Sequence, residues 1–255
     1  MIVNPFLSCL QNKKHPVGTL VMSGSVQVTE LLALSGFDFL VIDTEHSVST
    51  LPILQAQVMA AQGAGAVPVI RVPGHDEVML KRVLDVSGCE TLMIPMVDTP
   101  DEAREIVSRC TYPPEGTRGF ANYTRATRYT TIRDYRATAS QRRGLVVQVE
   151  TEKALENIVE IGRVPGITSV FLGLGDLSVS MGSSGLDDPQ FKKFVEGAVR
   201  RCGEAGLPLG CFLFDPSLLS WFFGNGGTYV SMGADMRSLL DAARGSIEAV
   251  RRCGC

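Results

Sequence analysis

The sequence predicts a closed (β/α)8 barrel, an α/β fold, formed as one domain by residues 1–255, and three observations support this prediction. The chain has 255 residues, and barrels of this class typically use about 250. Short apolar runs alternate with longer segments of helical period, which indicates a parallel sheet covered by helices on both faces. Eight such units can be counted, and eight strands are what a closed barrel of this class requires.

The strands are assigned to the short runs rich in Val, Ile, Leu and Phe, a composition typical of strands buried on both faces. In chain order they read VGTLVM, FDFLVID, VPVIRV, ETLMIPMV, LVVQVE, SVFLGLG, PLGCFLF and TYVSMGAD. The count has an alternative, because GTRGF could form a strand of its own. An open doubly wound sheet is the alternative architecture.

The helices are assigned to the segments between these strands. They read SVQVTELLALSG, TLPILQAQVMAAQG, HDEVMLKRVLDVSG, TPDEAREIVSRC, EKALENIVEIGRV, DPQFKKFVEGAVRRCGEAG and DPSLLSWFFGNGG, followed by a last helix from about Met236 to Arg252. The run Thr99-Pro100-Asp101-Glu102 is a helix N-terminal signature, and Gly88, Gly206 and Gly227 follow helices as stop signals.

One insertion interrupts this alternation. Residues 113–143 carry seven arginines and three tyrosines, a composition that could indicate nucleic-acid binding. We favour the alternative, an excursion over the C-terminal end of a strand that reaches a neighbouring subunit or an anionic substrate, because acidic residues elsewhere balance the arginines.

Composition excludes several classes of function. The net charge of −3 provides no field to attract nucleic acid or an anionic membrane. The N-terminus lacks a basic start followed by an apolar stretch, and no apolar run reaches the ~20 residues of a membrane helix. Seven cysteines without a C-x-x-C pair indicate reduced thiols in a cytoplasmic protein. Cys253 and Cys255 could chelate a metal, although a frayed tail is the interpretation we favour.

Polar side chains collect where four of the predicted strands end. In chain order they are Asp43, His46, Arg71, Gln148, Glu150 and Asp176. Active sites of (β/α)8 enzymes lie at the C-terminal ends of the strands, so this rim is the candidate active site. Taken singly, each residue has an ordinary alternative: a solvated Glu150, a salt-bridged Arg71, or a His46 that caps its loop.

Glu150 and Asp176 form a plausible pair of oxygen ligands for Mg²⁺ or Mn²⁺, which take one or two carboxylates plus substrate and water. No H-x-x-x-H pair or cysteine cluster indicates structural zinc. The segment GLGDLSVSMG lacks the lysine of a phosphate-binding loop and the Rossmann spacing. None of the lysines ends a predicted strand, which favours a metal over a Schiff base for any carbonyl chemistry.

The segments that carry these residues resemble the HpcH/HpaI aldolase family, the metal-dependent class II pyruvate aldolases. The similarity extends from about Gly18 to Ala243 and is clearest in FDFLVIDTEHS, in VIRVPGHDEVMLKRVLDVSGCETLMIPMVDTPDEAREIVSRCTYPPEGTRGF, in VVQVETEKALENI and in GITSVFLGLGDLSVSMG. The resemblance implies a TIM barrel of the phosphoenolpyruvate/pyruvate type. It also implies reversible cleavage of a 4-hydroxy-2-oxo acid to pyruvate and an aldehyde, as in 2,4-dihydroxyhept-2-ene-1,7-dioate and 2-dehydro-3-deoxyglucarate aldolases, with oxaloacetate decarboxylation as a side activity.

The resemblance further implies the cofactor, the assembly and the residue roles. The implied cofactor is a divalent ion, Mg²⁺ or Mn²⁺, with Co²⁺ as a substitute. The implied assembly is a homohexamer, a trimer of dimers in which partner subunits exchange their last helices. The apolar run LLSWFFGNGG fits such an interface, unless it packs on the barrel. The implied roles are metal binding by Glu150 and Asp176, substrate binding by Arg71, Gln148, Gly175 and Asp176, and catalysis by His46 and Arg71 with Asp43 and Asp85 as polar partners.

Two positions depart from this pattern. The family's Gly-Pro-Ala-Asp is replaced by Gly173-Leu174-Gly175-Asp176, and loss of the proline is expected to loosen the loop whose amides hold the pyruvate carboxylate. Asp85 falls near the end of a predicted helix, on the face away from the strand ends. The role that the resemblance gives Asp85 beside His46 would therefore require subunit packing.

Three alternative functions remain open at this stage. A CoA-dependent lyase of the citryl or malyl type would share the two carboxylates, and an enzyme like macrophomate synthase would use the same enolate to build a ring. The third alternative is an inactive barrel that serves as an interaction protein. It is disfavoured by the intact set of Asp43, His46, Arg71, Glu150 and Asp176.

Overall fold

The protein, described here by a computed structural model that covers residues 2–253, is built on a closed barrel of eight parallel strands. Each strand pairs with its neighbours in sequence, and the last strand closes on the first. The strands are β1 Val17–Val21, β2 Phe39–Asp43, β3 Val67–Arg71, β4 Thr91–Ile94, β5 Gly144–Val149, β6 Ser169–Leu172, β7 Leu209–Leu213 and β8 Tyr229–Ala234. The predicted (β/α)8 barrel is confirmed, the open sheet is excluded, and residues 116–120 belong to no strand. Cys255 lies outside the described residues.

The helices follow the predicted alternation with three additions. They are α1 Pro5–Asn12, α2 Val26–Leu34, α3 Leu51–Gly63, α4 Glu77–Arg82, α5 Pro100–Arg109, α6 Tyr135–Arg142, α7 Glu152–Glu156, α8 Ile158–Gly162, α9 Leu174–Ser180, α10 Pro189–Glu204, α11 Leu219–Gly224 and α12 Asp235–Arg252. The sequence did not predict α1, α6 or α9, and it joined α7 and α8 into one helix. A π-helical turn, Val83–Ser87, extends α4, and the predicted start of α5 is confirmed as a capping box between Thr99 and Glu102.

The N-terminal end of the barrel is closed by α1. Phe6 is fully buried and packs edge-on against Phe39 and Tyr229, with ring centroids 5.3 and 5.4 Å away. These two rings fill the space beside Gly18 and Gly210, where any Cβ atom would overlap them. The interior at this end is therefore packed solid, which leaves the opposite rim as the place for a site.

The insertion at residues 113–143 differs from its prediction. It leads from the end of α5 to the start of β5, rather than over the C-terminal end of a strand. Arg118 is only 2% exposed because its guanidinium pairs with Asp85 and lies 4.6 Å from the centroid of the Tyr112 ring. Arg125 donates to the Ser87 carbonyl at 2.9 Å. These two arginines fasten the segment to the π-helical turn.

Helix α12 is joined to the barrel by its buried first residue, Asp235, which accepts the Met22 N–H at 3.0 Å, and the rest of the helix is exposed. Every residue from 236 to 253 is exposed, and the exposed set includes the apolar residues Met236, Leu239, Leu240, Ile247 and Val250. By contrast, the LLSWFFGNGG segment packs on the barrel core, with Phe222 1% exposed and Trp221 and Phe223 partly buried beside it. Among residues 2–253, no helix is both long and apolar enough to span a bilayer.

Candidate active site

A buried ion pair between neighbouring strands forms the base of the candidate site. Asp43 and Arg71 end β2 and β3 in register, and they are 1% and 6% exposed. Arg71 donates from Nε to Oδ1 at 2.8 Å and from Nη2 to Oδ2 at 2.9 Å. The same carboxylate accepts the backbone N–H groups of Glu45 and His46 at 3.0 and 3.2 Å. Asp43 therefore positions both the guanidinium and the loop that carries His46.

This pairing decides which face of Arg71 can meet a ligand. Asp43 accepts from Nε and Nη2, so Nη1 is the guanidinium nitrogen that this carboxylate does not engage. The guanidinium carbon lies 5.5 Å from the centroid of the Phe212 ring, which restricts its plane. Burial alone would lower the pKa of Arg71, but the Asp43 and Glu45 carboxylates raise it above its ordinary value. The site therefore keeps a fixed positive charge.

Glu150 follows β5 and is 3% exposed. Its Oε1 accepts from Gln148 Nε2 at 2.9 Å, and its Oε2 accepts from the Met96 backbone N–H at 2.9 Å. Met96 has a φ of 55°, an unusual conformation for a residue with a side chain, and this geometry aims its N–H at the carboxylate. Gly173 lies against Glu150 so closely that a Cβ atom there would overlap Oε1.

Burial raises the pKa of Glu150 to about 7, against the lowering effect of the Met96 N–H, and the nearby carboxylates of Asp176 and Glu45 add to the rise. Burial is the main cause of this rise, and the two neighbouring carboxylates are a smaller one. The carboxylates of Asp43, Glu45, Glu150 and Asp176 lie near one another at this rim, and the Arg71 guanidinium opposes the charges of Asp43, Glu45 and Glu150.

Asp176 reaches the rim from a helix rather than from a strand. The segment SVFLGLG was predicted as one strand, but the observed strand β6 ends at Leu172 and α9 begins at Leu174. Asp176 therefore lies in the first turn of that helix. A Cβ atom built on Gly175 would meet nothing within 4 Å, and this open space lies directly beside Asp176. The departure from Gly-Pro-Ala-Asp therefore leaves room where a larger side chain would stand.

His46 and Glu45 lie on the loop after β2. The His46 side chain is 60% exposed, and its Nε2 lies 3.8 Å from Oε2 of Glu45. The same Glu45 oxygen lies 3.4 Å from Nε of Arg71. Sequence reasoning passed over Glu45, although it stands between two predicted site residues in the run Asp43-Thr44-Glu45-His46. The structure thus brings together Asp43, His46, Arg71, Gln148, Glu150 and Asp176, and adds Glu45.

Asp85 does not join this set within the described chain. Its carboxylate pairs with the buried Arg118, and its backbone carbonyl accepts the N–H of Ala126 at 3.2 Å. These contacts place Asp85 in the π-helical turn under the insertion. The topology predicted this position away from the strand ends, whereas the role implied by the resemblance required Asp85 to lie beside His46.

The residues present fit a divalent cation. Glu150 and Asp176 would supply carboxylate oxygens, with the Glu45 carboxylate nearby, and the buried Oε1 of Gln148 lacks a hydrogen-bond partner among the described residues. Within residues 2–253, no three His, Cys, Asp or Glu side chains are grouped closely enough to hold an ion alone. Two protein carboxylates with substrate and water are the usual arrangement for Mg²⁺.

Comparison with known proteins agrees with this geometry. The family model of HpcH/HpaI aldolase/citrate lyase matches residues 18–242. The chain belongs to the HpcH/HpaI aldolase/citrate lyase family. This result confirms the predicted family, and the family generally depends on a divalent metal.

Two curated relatives of this HpcH/HpaI family chain are themselves named aldolases. The 2-dehydro-3,6-dideoxy-6-sulfogluconate aldolase of Pseudomonas putida is 37% identical over 243 residues, which cover 95% of each chain. The 2-keto-3-deoxy-L-rhamnonate aldolase of Escherichia coli O157:H7 is 37% identical over 244 residues, 95% of this chain and 91% of the relative. The prediction of an aldolase-type lyase is thereby confirmed at the level of the family.

Two solved structures superpose on this barrel over nearly the whole chain. A family protein from Burkholderia cenocepacia J2315 superposes with a TM-score of 0.92 at 31% identity, over 98% of this chain and 100% of the other. Macrophomate synthase superposes with a TM-score of 0.84 at 26% identity, over 99% of this chain and 92% of the other.

Proposed function

We propose that this protein cleaves a 4-hydroxy-2-oxo acid reversibly to pyruvate and an aldehyde, with a divalent metal as cofactor. The observation that supports this most directly is the grouping of the buried Arg71–Asp43 pair with Glu150 and Asp176 at one rim of the barrel. The aldolases at 37% identity favour this function over the ring-forming reaction, the CoA-dependent lyase and the inactive barrel.

Cleavage of the bond between C3 and C4 leaves the enolate of pyruvate, so the site must stabilise an oxyanion as it forms. A divalent ion (Mg²⁺, Mn²⁺ or Co²⁺), bound by Glu150 and Asp176, would supply an electrophile for that oxygen. Arg71 would place a second positive group there through Nη1, which Asp43 does not engage while it holds the guanidinium in orientation. Four of the six lysines lie on helices α4, α7 and α10, and Lys13 and Lys14 follow α1 at the N-terminal end of the barrel. No lysine therefore ends a strand at the proposed site, where a Schiff base would form.

We assign the proton transfer to His46. Its exposed imidazole is accessible to a bound substrate, and an imidazole can accept and return a proton near neutral pH. In cleavage, it takes the proton of the C4 hydroxyl, and in synthesis it gives that proton back. Gln148, Gly175 and Asp176 are the proposed substrate contacts beside Arg71, and Asp85 would serve His46 only from a neighbouring subunit.

We also propose that the protein assembles as a homohexamer in the cytoplasm. The exposed apolar residues of α12 support exchange of this helix between partners. An amphipathic helix gains most of its stability when its apolar face packs against another element. Five buried cysteines are compatible with a reducing compartment. Light scattering at micromolar concentration is expected to give about six times the mass of the chain, and a monomer would contradict this assembly.

A direct assay tests the proposed function. With Mn²⁺ or Mg²⁺, the protein is expected to decarboxylate oxaloacetate and to join pyruvate to at least one aldehyde from a panel. Excess EDTA should abolish both reactions, and added Mn²⁺ should restore them. Full activity in EDTA, together with a borohydride-reducible adduct of pyruvate, would contradict the metal-dependent mechanism and indicate a Schiff base on a lysine.

A further inference from the structure

Glu45 is a carboxylate beside Arg71 and His46 to which the proposed mechanism gives no task. Its side chain is 18% exposed, and its backbone N–H is held by Asp43 Oδ1 at 3.0 Å. The carboxylate therefore has a fixed starting point on the loop between Arg71 and His46. Burial raises the pKa of Glu45 above its ordinary value, and the lowering effects of Arg71 and His46 offset only part of this rise.

Arg71 does not depend on Glu45 for its orientation. Asp43 already makes two hydrogen bonds to the guanidinium at 2.8 and 2.9 Å. The distance of 3.4 Å between Glu45 Oε2 and Arg71 Nε gives an electrostatic contact rather than a second directed bond, because Nε has one hydrogen and Asp43 accepts it.

His46, by contrast, is loosely held. Its side chain is 60% exposed, and the neighbouring carboxylate oxygen is 3.8 Å from Nε2, too far for a hydrogen bond. Within the described residues, Asp85 is engaged by Arg118. Glu45 is therefore the carboxylate that the chain itself places beside this imidazole.

We propose that Glu45 is a positioning residue of the aldol reaction, one that stabilises the imidazolium of His46 while the C4 hydroxyl is deprotonated. The inference rests on the proposed function. In the cleavage step, the hydroxyl proton moves to His46, the C3–C4 bonding pair becomes the pyruvate enolate, and C4 becomes the aldehyde carbonyl carbon. C3 then takes a proton from solvent, and His46 releases one.

The interaction strengthens only as the reaction proceeds. Before proton transfer, a neutral imidazole faces a carboxylate, and afterwards an ion pair exists at the same place. Interactions that strengthen in the transition state raise kcat, whereas those equal in both states change KM. Decarboxylation of oxaloacetate forms no imidazolium, since no hydroxyl is deprotonated. Glu45 is therefore expected to matter for one reaction and not for the other.

The test compares Glu45→Gln with wild type in both reactions at saturating Mn²⁺. The aldol kcat is expected to fall about five- to tenfold, the size of a charge contact at about 4 Å in a water-like medium, with KM for the 2-oxo acid unchanged. The decarboxylation kcat is expected to stay within about twofold. Glu45→Asp keeps the charge and should recover part of the loss. Glu204→Gln, an exposed change on α10, is the matched control.

The outcomes separate the inference from the function on which it rests. If wild type lacks aldol activity with every aldehyde, the proposed function fails. If wild type is active but Glu45→Gln lowers both reactions equally, Glu45 acts through Arg71 and the inference is overturned. A rise in KM alone, or weaker Mn²⁺ binding by calorimetry, would also overturn it. Unchanged kinetics with a lower melting temperature would reduce Glu45 to a structural residue.

Discussion

Replacing His46 by alanine is expected to lower aldol turnover by the ~10²–10⁴-fold typical of a general base while much of the oxaloacetate decarboxylase activity remains. Aldol cleavage requires removal of a hydroxyl proton and stabilisation of an enolate, whereas decarboxylation requires only the second. The imidazole is 60% exposed, and its Nε2 lies 3.8 Å from the nearby Glu45 oxygen, beyond hydrogen-bond distance, so the variant should fold normally. Initial rates of both reactions with the same enzyme preparation measure the difference.

Arg71→Ala is the matched comparison for this prediction, and it is expected to damage both reactions. Its guanidinium serves the shared enolate, and its removal leaves the Asp43 carboxylate buried without a partner. Arg71→Lys should restore little, because an ammonium group cannot reproduce the fork that meets Asp43 through two bonds.

Equal loss of both reactions in His46→Ala, with Mn²⁺ still bound, would mean that His46 positions substrate instead of moving protons.

Glu150→Gln is expected to weaken Mn²⁺ binding and to lower both activities by more than about 100-fold, since even outer-shell partners of a metal typically contribute 10–100-fold. The fold should tolerate the change. One atom of the new amide can accept the Met96 N–H as Oε2 does now. The amide nitrogen can donate to the unpartnered Oε1 of Gln148 after that side chain turns over.

The same variant has a predicted signature in the metal-free protein. The pKa of Glu150 is raised from 4.5 to about 7 in the folded state. The protonated Glu150 therefore stabilises the folded state fully below about pH 4.5, and this stabilisation is lost as the pH rises through about 7. The full difference corresponds to about 3 kcal/mol. Without metal, Glu150→Gln should melt at a higher temperature than wild type at pH 8, and the two should converge near pH 5.

Adding Mn²⁺ should reverse that order at pH 8, because the ion stabilises the wild type by binding its folded state and has lost a ligand in the variant. Thermal denaturation with and without EDTA provides the measurement, and Glu204→Gln provides a control of equal charge change on the outer surface. Equal stabilisation of wild type and Glu150→Gln by Mn²⁺ would contradict the role of this carboxylate in metal binding.

Much of the candidate site could be predicted because strand ends are marked in the sequence. Asp43, Arg71 and Glu150 each follow an unbroken apolar run, and parallel strands in a closed barrel bring all their C-terminal ends to one rim. Glu45 was missed although it lies between Asp43, the last residue of β2, and His46, on the loop after it. Which side chains of such a polar loop face the site depends on the fold. The first turn of α9 was also missed, because two glycines within four residues weaken the helical signal.

The sequence by itself determined the barrel, its strand order and the residue types at its rim, because period-specific apolar patterns and helix punctuation are local properties. Tertiary structure alone decided the pairings. It assigned Asp43 to Arg71 across two strands, Asp85 to Arg118 across the insertion, and Met96 and Gln148 to the two oxygens of Glu150. The first contact depends on the register of two strands, and the second depends on the path of the 31 residues 113–143. The contact of Met96 depends on its left-handed backbone. A local sequence pattern encodes none of these features.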